Sequence, residues 1–560
     1  MRTAILGALL PSFFAALAPA PPPPLLLEGA TVYASADASG KRASILVRGG
    51  TIAFVGDPAA ARARAGDARV LDLAGRFVFP GLIDAHGHLE GLGEALEMAD
   101  LRDAADAREA ASRVGTAARG LPASAWARGR GWDQNRWPGR AYPDARDLDA
   151  ASPDRPAWAE RVDGHAVWIN TKALAAAGIT RDTPDPPGGR ILRRPDGTPS
   201  GILVDNAGDL VARALPAPSP ADRERRLLAA ARACARAGLT EVEDASGYGP
   251  ESLAALERLA ARGDLPLRVY ATVSPDEKLL KARLARGARI GKGSDFLTIR
   301  AIKAYADGAL GSRGAALLAD YSDEPGTRGL LVTPPERLDA VALEARRAGW
   351  QLWVHAIGDR GNRIALDAFR KASRAVPRPP AGGDRPRIEH AQVVAVADLP
   401  RFAREGVIAS MQPTHATSDM VWAERRVGPD RLRGAYAWKT LLASGARLAG
   451  GSDFPVESEN PLWGLYAAVT RQDLAGQPPG GWRPEERLTR AEALALFTTG
   501  AAYAAFEEER RGRIVPGADA DLTVLEADPM TVPEREIARI RPALVLVGGK
   551  VFSPGEAAAK

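Results

Sequence analysis

The chain has 560 residues, which is enough for more than one domain around a large buried core. Hydrophobic residues make up 46% of it and charged residues 26%, as is ordinary for a globular protein. The 74 lysines and arginines barely outnumber the 69 aspartates and glutamates, and the two signs are interspersed, which argues against nucleic-acid binding.

Residues 1–20 have the pattern of a bacterial-type signal peptide. Arg2 precedes an apolar run over 4–17, which has the length of a signal peptide's hydrophobic region and is short for a membrane span. Ala18 closes a candidate A-x-A cleavage site, although Pro19 would follow the cut bond. We therefore expect an exported protein, periplasmic or secreted, with no membrane association after cleavage; an uncleaved anchor is the alternative.

Both ends of the mature chain contain short strand-like runs that glycines interrupt. Residues 51–55 are an example near the N-terminus, and residues 521–525 are one near the C-terminus. We expect residues 25–78 and 508–560 to pair into one composite β-sandwich, with the rest of the chain inserted between them.

In the middle of the chain, apolar runs alternate with helical patterns, which favours parallel βαβ construction. Eight strand candidates lie near residues 77–84, 239–244, 267–273, 297–303, 351–355, 386–389, 406–411 and 447–451. They predict an α/β fold, a (β/α)8 barrel of the TIM type over residues 79–507, with its chemistry at the carboxyl ends of the strands. The stretch at about 120–220 is too long for one connection and is predicted to be an inserted cap.

The strongest local motif is His86-Gly87-His88 at the end of an apolar run. Residues two apart in a strand point to the same face, so both imidazoles can bind one ion. The other candidate ligands also stand at predicted strand ends: Lys303, His355, His390 and Asp453. Because a barrel brings strand ends together, one metal-containing pocket can collect all of them. Imidazole and carboxylate ligands suit zinc, manganese or iron, and a His-rich site favours zinc.

Lys303 needs a separate explanation, because a protonated lysine is repelled by metal cations. It can lose its proton in a buried site, or it can react with carbon dioxide to give a carbamate, which is an anionic bridging ligand. A salt-bridged surface lysine is the third alternative, and spacing does not separate the three.

Longer motifs extend over nearly the whole mature chain: PGLIDAHGH (80–88), GWD (131–133), RVDGH (161–165), KAYADGALGSR (303–313), VHAIGD (354–359), IEH (388–390), MQPTH (411–415) and GSDFPV (451–456). In this combination the chain resembles the amidohydrolase superfamily. Within it, the chain is similar to the amidohydrolase-3 branch, which includes enzymes like N-substituted formamide deformylase.

The resemblance implies two divalent ions, zinc by default, with one ion as the alternative. The more buried ion would be held by His86, His88 and Asp453. The second would be held by His355 and His390. Lys303, carboxylated by carbon dioxide, would bridge the two ions.

The implied activity is hydrolysis of a non-peptide C–N bond of amide type. Metal-bound hydroxide would attack the carbonyl carbon, while Asp453 would accept a proton and pass it to the leaving amine. The same site could cleave the C–O bond of an ester or lactone. An alternative of another class is a non-enzymatic secreted binding or regulatory protein that keeps the barrel as a scaffold; such a protein is expected to have lost a ligand position, and no such loss is visible.

Five further residues are candidate contacts for a small-molecule substrate: Trp132, Arg161, His165, Arg313 and His415. Either histidine could hydrogen-bond a substrate carbonyl or carboxylate, or serve a structural role. Arg313 could bind an anionic group or fix a loop. A homodimer is the default oligomeric state.

Overall fold

The computed structural model describes residues 23–122, 125–291, 294–379 and 383–553. The signal peptide predicted over residues 1–20 lies outside the described residues. Within the described ranges, no helix is both long and apolar enough to cross a membrane.

Eight parallel strands form a nearly closed barrel, which confirms the predicted fold class. In chain order, barrel strands 1 to 8 are Leu82–Gly87, Leu239–Tyr248, Arg268–Val273, Leu297–Tyr305, Gln351–Ala356, Arg387–His390, Ile408–Met411 and Leu448–Gly450. Neighbours in this order pair in parallel from strand 1 to strand 8.

The run predicted as one strand over 77–84 is two strands. Phe77–Pro80 pairs in another sheet, and barrel strand 1 begins at Leu82. The chain changes sheets at Gly81, where a Cβ atom would lie only 2.2 Å from Oγ1 of Thr240. Both halves are buried and apolar, so the sequence pattern does not reveal the break.

α-Helices precede, connect and follow the barrel strands. They are Leu89–Ala95, Pro220–Arg236, Pro250–Arg262, Glu277–Arg286, Pro335–Ala348, Asp359–Ala375, Leu399–Glu405, Pro413–Asp419, Ala423–Leu432, Trp438–Ala443, Pro461–Thr470, Arg490–Leu496 and Thr499–Ala504. The helix that precedes strand 2 shows why they form. Ser219 caps it in a capping box with Asp222, and Leu227, Ala230 and Cys234 bury one face at helical spacing.

The two ends of the chain meet in one six-stranded sheet. Its order is Lys550–Phe552, Pro542–Val547, Leu522–Leu525, Phe77–Pro80, Thr31–Val32 and Lys41–Arg42. A four-stranded sheet packs on it, in the order Thr51–Gly56, Ser44–Arg48, Leu25–Glu28 and Arg69–Asp72. Leu25 and Leu27 of the second sheet share an apolar core with Leu522 and Val524 of the first. Helix Pro58–Ala65 belongs to this part of the chain.

A further six-stranded sheet lies between barrel strands 1 and 2. Its order is Gly189–Arg193, Pro199–Asp205, Ala166–Ile169, Ala157–Arg161, Ala127–Trp132 and Ala99–Asp100. The sheet therefore begins upstream of the boundary near 120 that the sequence predicts for the insertion. The accompanying helices are Ala107–Ala118, Ala145–Ala151, Thr171–Ala176 and Asp209–Ala212. We call this segment, residues 99–212, the insertion.

Candidate metal centre

All six histidines of the chain form one continuous cluster at the carboxyl ends of the barrel strands. Neighbouring ring centroids are between 4.5 and 5.9 Å apart. The members are His86, His88, His165, His355, His390 and His415. Separate segments contribute to the cluster, so the barrel fold and not local sequence brings the imidazoles together.

Closure of the barrel places Asp453 against the His-x-His motif. The backbone N–H of Asp453 donates to the carbonyl of His86 (2.6 Å), and that of His88 donates to the carbonyl of Phe454 (2.9 Å). A Cβ atom on Gly87 would lie 2.3 Å from the Phe454 ring, so the close approach requires glycine between the two histidines.

The carboxylate of Asp453 faces two imidazoles at once. Its Oδ1 lies 3.0 Å from Nε2 of His88 and 3.4 Å from Nε2 of His86. Asp453 has a φ of 60°, in the left-handed region, a costly conformation that clusters at functional sites. These three side chains form a group whose ligand atoms lie within 4.8 Å of one another, which suits one metal ion.

The surroundings of His86 fit a metal ligand. Its Nδ1 lies 2.5 Å from Oε2 of Glu389, so Nδ1–H donates to the carboxylate and Nε2 keeps a lone pair. That Nε2 is buried and has no hydrogen-bond partner among the described residues. A buried polar nitrogen without a partner costs free energy unless another ligand satisfies it.

A buried ion network, which the sequence analysis missed, holds Glu389. Arg387 is fully buried, donates to Glu389 (2.8 Å) and forms an ion pair with Glu243. Burial raises the pKa of Glu389, but the Arg387 charge and the hydrogen bond from His86 outweigh it and hold that pKa well below its usual range. The sequence does contain a sign of this network, because Arg387 and Glu389 are charged residues two apart in a predicted strand and therefore point to the same face of that strand.

The predicted ligands of the second ion are buried beside the first group. Burial lowers the pKa of the Lys303 amine to about 8 and, with nearby cations, lowers the pKa values of His355 and His390 well below their usual range. Neutral imidazoles are the form that binds metals. Nδ1 of His390 lies 2.8 Å from Oε1 of Gln412, which leaves Nε2 for another partner.

The second compact group differs from the predicted ligand set. It consists of His390, His415 and Asp453, again with ligand atoms within 4.8 Å. His355 lies outside both groups, and its Nε2 is 3.4 Å from the carbonyl oxygen of Gly308. His415, which the sequence analysis predicts to contact substrate, lines the cavity, and its ring nitrogens face Asp453 (3.2 Å) and Glu457 (3.3 Å).

A cavity of about 880 Å³ opens over the histidine cluster. Barrel segments supply Lys303, Asp453 and Trp463 to its lining, and the insertion supplies Arg161 and His165. A cavity of this size accommodates a small organic molecule.

The Amidohydrolase family model matches residues 69–552. This chain belongs to that family. The putative amidohydrolase YtcJ of Bacillus subtilis (strain 168) is 35% identical over 531 residues, which cover 94% of this chain and 98% of the relative. N-substituted formamide deformylase of Arthrobacter pascens is 29% identical over 522 residues, covering 90% and 94%. An uncharacterized metal-dependent hydrolase of Pyrococcus horikoshii has a similar structure, with a TM-score of 0.74 and 28% identity over 91% of this chain and 99% of that one. The predicted family is confirmed, and with it the coarser prediction of a hydrolase.

Two of the predicted substrate contacts are not among the described residues that line the cavity. Trp132 is fully buried in the core of the insertion, and its Nε1 donates to the carbonyl of Ala159 (2.8 Å). Arg313 pairs with Asp323 (3.1 Å) and Glu324 (2.9 Å). Tertiary packing turns Trp132 away from the cavity, and the ion pairs of Arg313 fit the alternative that this residue fixes a loop.

Arg161 does line the cavity, but its donors are engaged. The guanidinium donates to Gln134 (2.8 Å) and forms ion pairs with Asp133 (2.5 Å) and Asp163. Its side chain is 2% exposed. The residue therefore orients the carboxylates of Asp133 and Asp163 at the cavity wall.

We expect Glu389→Gln to weaken metal binding by about 10- to 100-fold, because a neutral amide oxygen accepts the Nδ1–H hydrogen bond of His86 more weakly than the carboxylate and makes the ring a poorer donor to the metal. Competition with a chelator on the metal-loaded protein measures this affinity. Glu485→Gln, at an exposed glutamate that is not among the residues lining the cavity, is the matched control and should keep the wild-type affinity. Unchanged affinity in Glu389→Gln would contradict the orienting role.

Proposed function

We propose that this amidohydrolase is a metal-dependent hydrolase of a non-peptide C–N bond of amide type, with Asp453 as the proton shuttle. The observation that carries the proposal is the group formed by His86, His88 and Asp453 at the base of a substrate-sized cavity. The full-length relationship to a formamide deformylase supports an amide substrate.

The residues that would hold divalent metal are two adjoining sets. The first is His86, His88 and Asp453. The second is His355, His390 and a carboxylated Lys303, with His415 as a further ligand candidate on geometric grounds. Zinc is the default ion for a site rich in histidine. A divalent ion bound here supplies a water-derived nucleophile at neutral pH by lowering the pKa of bound water to about 7.

The protein's own groups move the proton. Burial raises the pKa of Asp453, but the facing imidazoles of His415, His86 and His88 outweigh it and hold that pKa well below its usual range. Asp453 is therefore a carboxylate before the reaction and can accept the proton of the attacking water. Its side chain is 10% exposed and lines the cavity, so the proton can be returned to the leaving nitrogen.

A matched substrate panel tests the proposed bond type. Amides and esters that share one acyl group are offered to the purified protein, starting with N-substituted formamides and the corresponding formate esters, together with a set of lactones. We expect amide hydrolysis that chelation abolishes and added zinc restores. Cleavage of the esters alone would reassign the activity to C–O bonds, and no turnover by metal-loaded protein would overturn the hydrolase proposal.

We expect Lys303→Ala to lose at least one bound metal ion, because the side chain is buried (1% exposed) and its neutral amine can form the bridging carbamate. Elemental analysis measures the loss. Formate can occupy the space left by the shortened side chain, so adding it should restore part of the metal content. Lys278→Ala, at an exposed helical lysine, is the control. Full metal content in Lys303→Ala would make the lysine structural.

A further inference from the structure

One histidine of the cluster comes from outside the barrel. His165 follows Gly164 in the turn between insertion strands Ala157–Arg161 and Ala166–Ile169. Its ring centroid lies 5.1 Å from that of His355, and its side chain, 19% exposed, lines the cavity. The insertion therefore reaches the catalytic cavity through an imidazole.

A buried aspartate fixes the orientation of this imidazole. Oδ1 of Asp205 lies 2.7 Å from Nδ1 of His165, and the backbone N–H of Asp205 donates to the carbonyl of His165 (3.0 Å). The backbone N–H of His165 in turn donates to Asp163 (3.1 Å). With Nδ1 engaged, Nε2 is the ring nitrogen left for a molecule in the cavity.

Asp205 occupies a costly position. It has a φ of 49°, in the left-handed region, and its side chain is only 2% exposed. Its Oδ2 is buried without a hydrogen-bond partner among the described residues. Such strain and unsatisfied polarity persist where the surrounding structure imposes them, and they cluster at functional sites.

The barrel leaves room for this carboxylate through two glycines. A Cβ atom on Gly308 would lie 2.6 Å from Oδ2 of Asp205, and one on Gly314 would lie 2.4 Å from it. Both glycines belong to the loop that follows barrel strand 4, and Lys303 lies in that strand. The aspartate of the insertion is thus seated directly on the loop beside the metal ligands.

We propose that Asp205 is a positioning residue that acts through His165, and that His165 contacts the substrate through Nε2. The insertion then completes the active site, and the Asp205–His165 pair helps to determine which substrates are accepted. This inference rests on the proposed hydrolase function, but not on the choice between amide and ester bonds.

A double-mutant cycle with His165→Ala and Asp205→Asn tests the proposal. The cycle is measured as kcat/KM on whichever amide, ester or lactone the wild type cleaves fastest. We expect His165→Ala to lower kcat/KM by about 100-fold and Asp205→Asn to lower it by about 10-fold or more. The double variant should have the same kcat/KM as His165→Ala alone. Metal content and thermal unfolding midpoint should stay near wild type, as should all properties of the control Asp182→Asn, at an exposed aspartate of the insertion.

Three results would overturn the proposal. Losses that multiply in the double variant mean that Asp205 does not act through His165. A His165→Ala variant within about twofold of wild type means that His165 does not contact substrate. Loss of metal in that variant makes His165 a ligand instead.

The coupling between Asp205 and His165 can be tested even if the protein hydrolyses none of these substrates. For a wild type that cleaves none of these substrates, the same cycle is measured on the Kd of acetohydroxamate for the metal-loaded protein. If the two substitutions weaken acetohydroxamate binding non-additively, Asp205 acts through His165. Additive weakening, or none, would overturn the proposal.

Discussion

Asp453→Asn is expected to lower kcat by about 100- to 10,000-fold while much of the metal stays bound. The amide has the shape of the carboxylate and keeps an oxygen that can face His86 and His88. It cannot accept a proton, so the step that delivers a proton to the leaving group loses its carrier. Steady-state kinetics and elemental analysis of the same preparation measure the two effects.

A matched control separates proton transfer from general damage. Asp430→Asn, at an exposed aspartate in helix Ala423–Leu432, should keep wild-type turnover and metal. Near-normal kcat in Asp453→Asn would end the proton-shuttle assignment. Complete loss of metal in Asp453→Asn would show that the dominant role of Asp453 is to bind the metal.

Arg387→Met is expected to destabilise the fold by about 3–5 kcal/mol. The guanidinium pairs with Glu243 and Glu389, lies 3.7 Å from the ring centroid of Trp353, and all of these groups are fully buried. Glu243 and Glu389 come from barrel strands 2 and 6, so the network crosses the barrel interior. Methionine fills much of the volume but leaves the Glu389 carboxylate buried without its cation and Glu243 without its hydrogen-bond donor.

Urea unfolding of the metal-free protein measures this loss. Arg535→Met, at an arginine that is 81% exposed, is the control and should change stability by no more than about 0.5 kcal/mol. A change below about 1 kcal/mol in Arg387→Met would contradict the network's role.

The loss of stability caused by Arg387→Met should depend on pH. Burial already raises the pKa of Glu243 to about 8, although Arg387 opposes the shift. A carboxyl whose pKa is higher in the folded than in the unfolded state costs stability as the pH rises. Without Arg387 that pKa rises further, so the destabilisation should be larger at pH 8 than at pH 6.

The barrel could be predicted because its strands are short apolar runs separated by helical patterns. Each of the eight predicted runs contains or overlaps a barrel strand. The exception in detail is the run over 77–84, where a change of sheet at Gly81 leaves no mark in hydrophobicity. The histidine cluster could be anticipated because parallel strands end on the same side of a barrel.

The groups that orient the histidines could not be predicted in the same way. Glu389 contacts a residue 303 positions away in sequence, and Asp205 contacts His165, 40 positions away, from the neighbouring strand of the insertion. A carboxylate next to a histidine in the chain does not reveal which ring it will hold. Trp132 is a case of the opposite error: it lies in the GWD motif (131–133) but packs into the core of the insertion and not into the cavity.

Metal content of the purified protein, grown with ample zinc and measured by elemental analysis, is the most direct test of the central claim. We expect two ions per chain, in keeping with two adjoining groups of candidate ligands that share Asp453. Protein that contains no metal under these conditions would contradict a metal-dependent hydrolase and would favour a barrel that serves only as a binding scaffold.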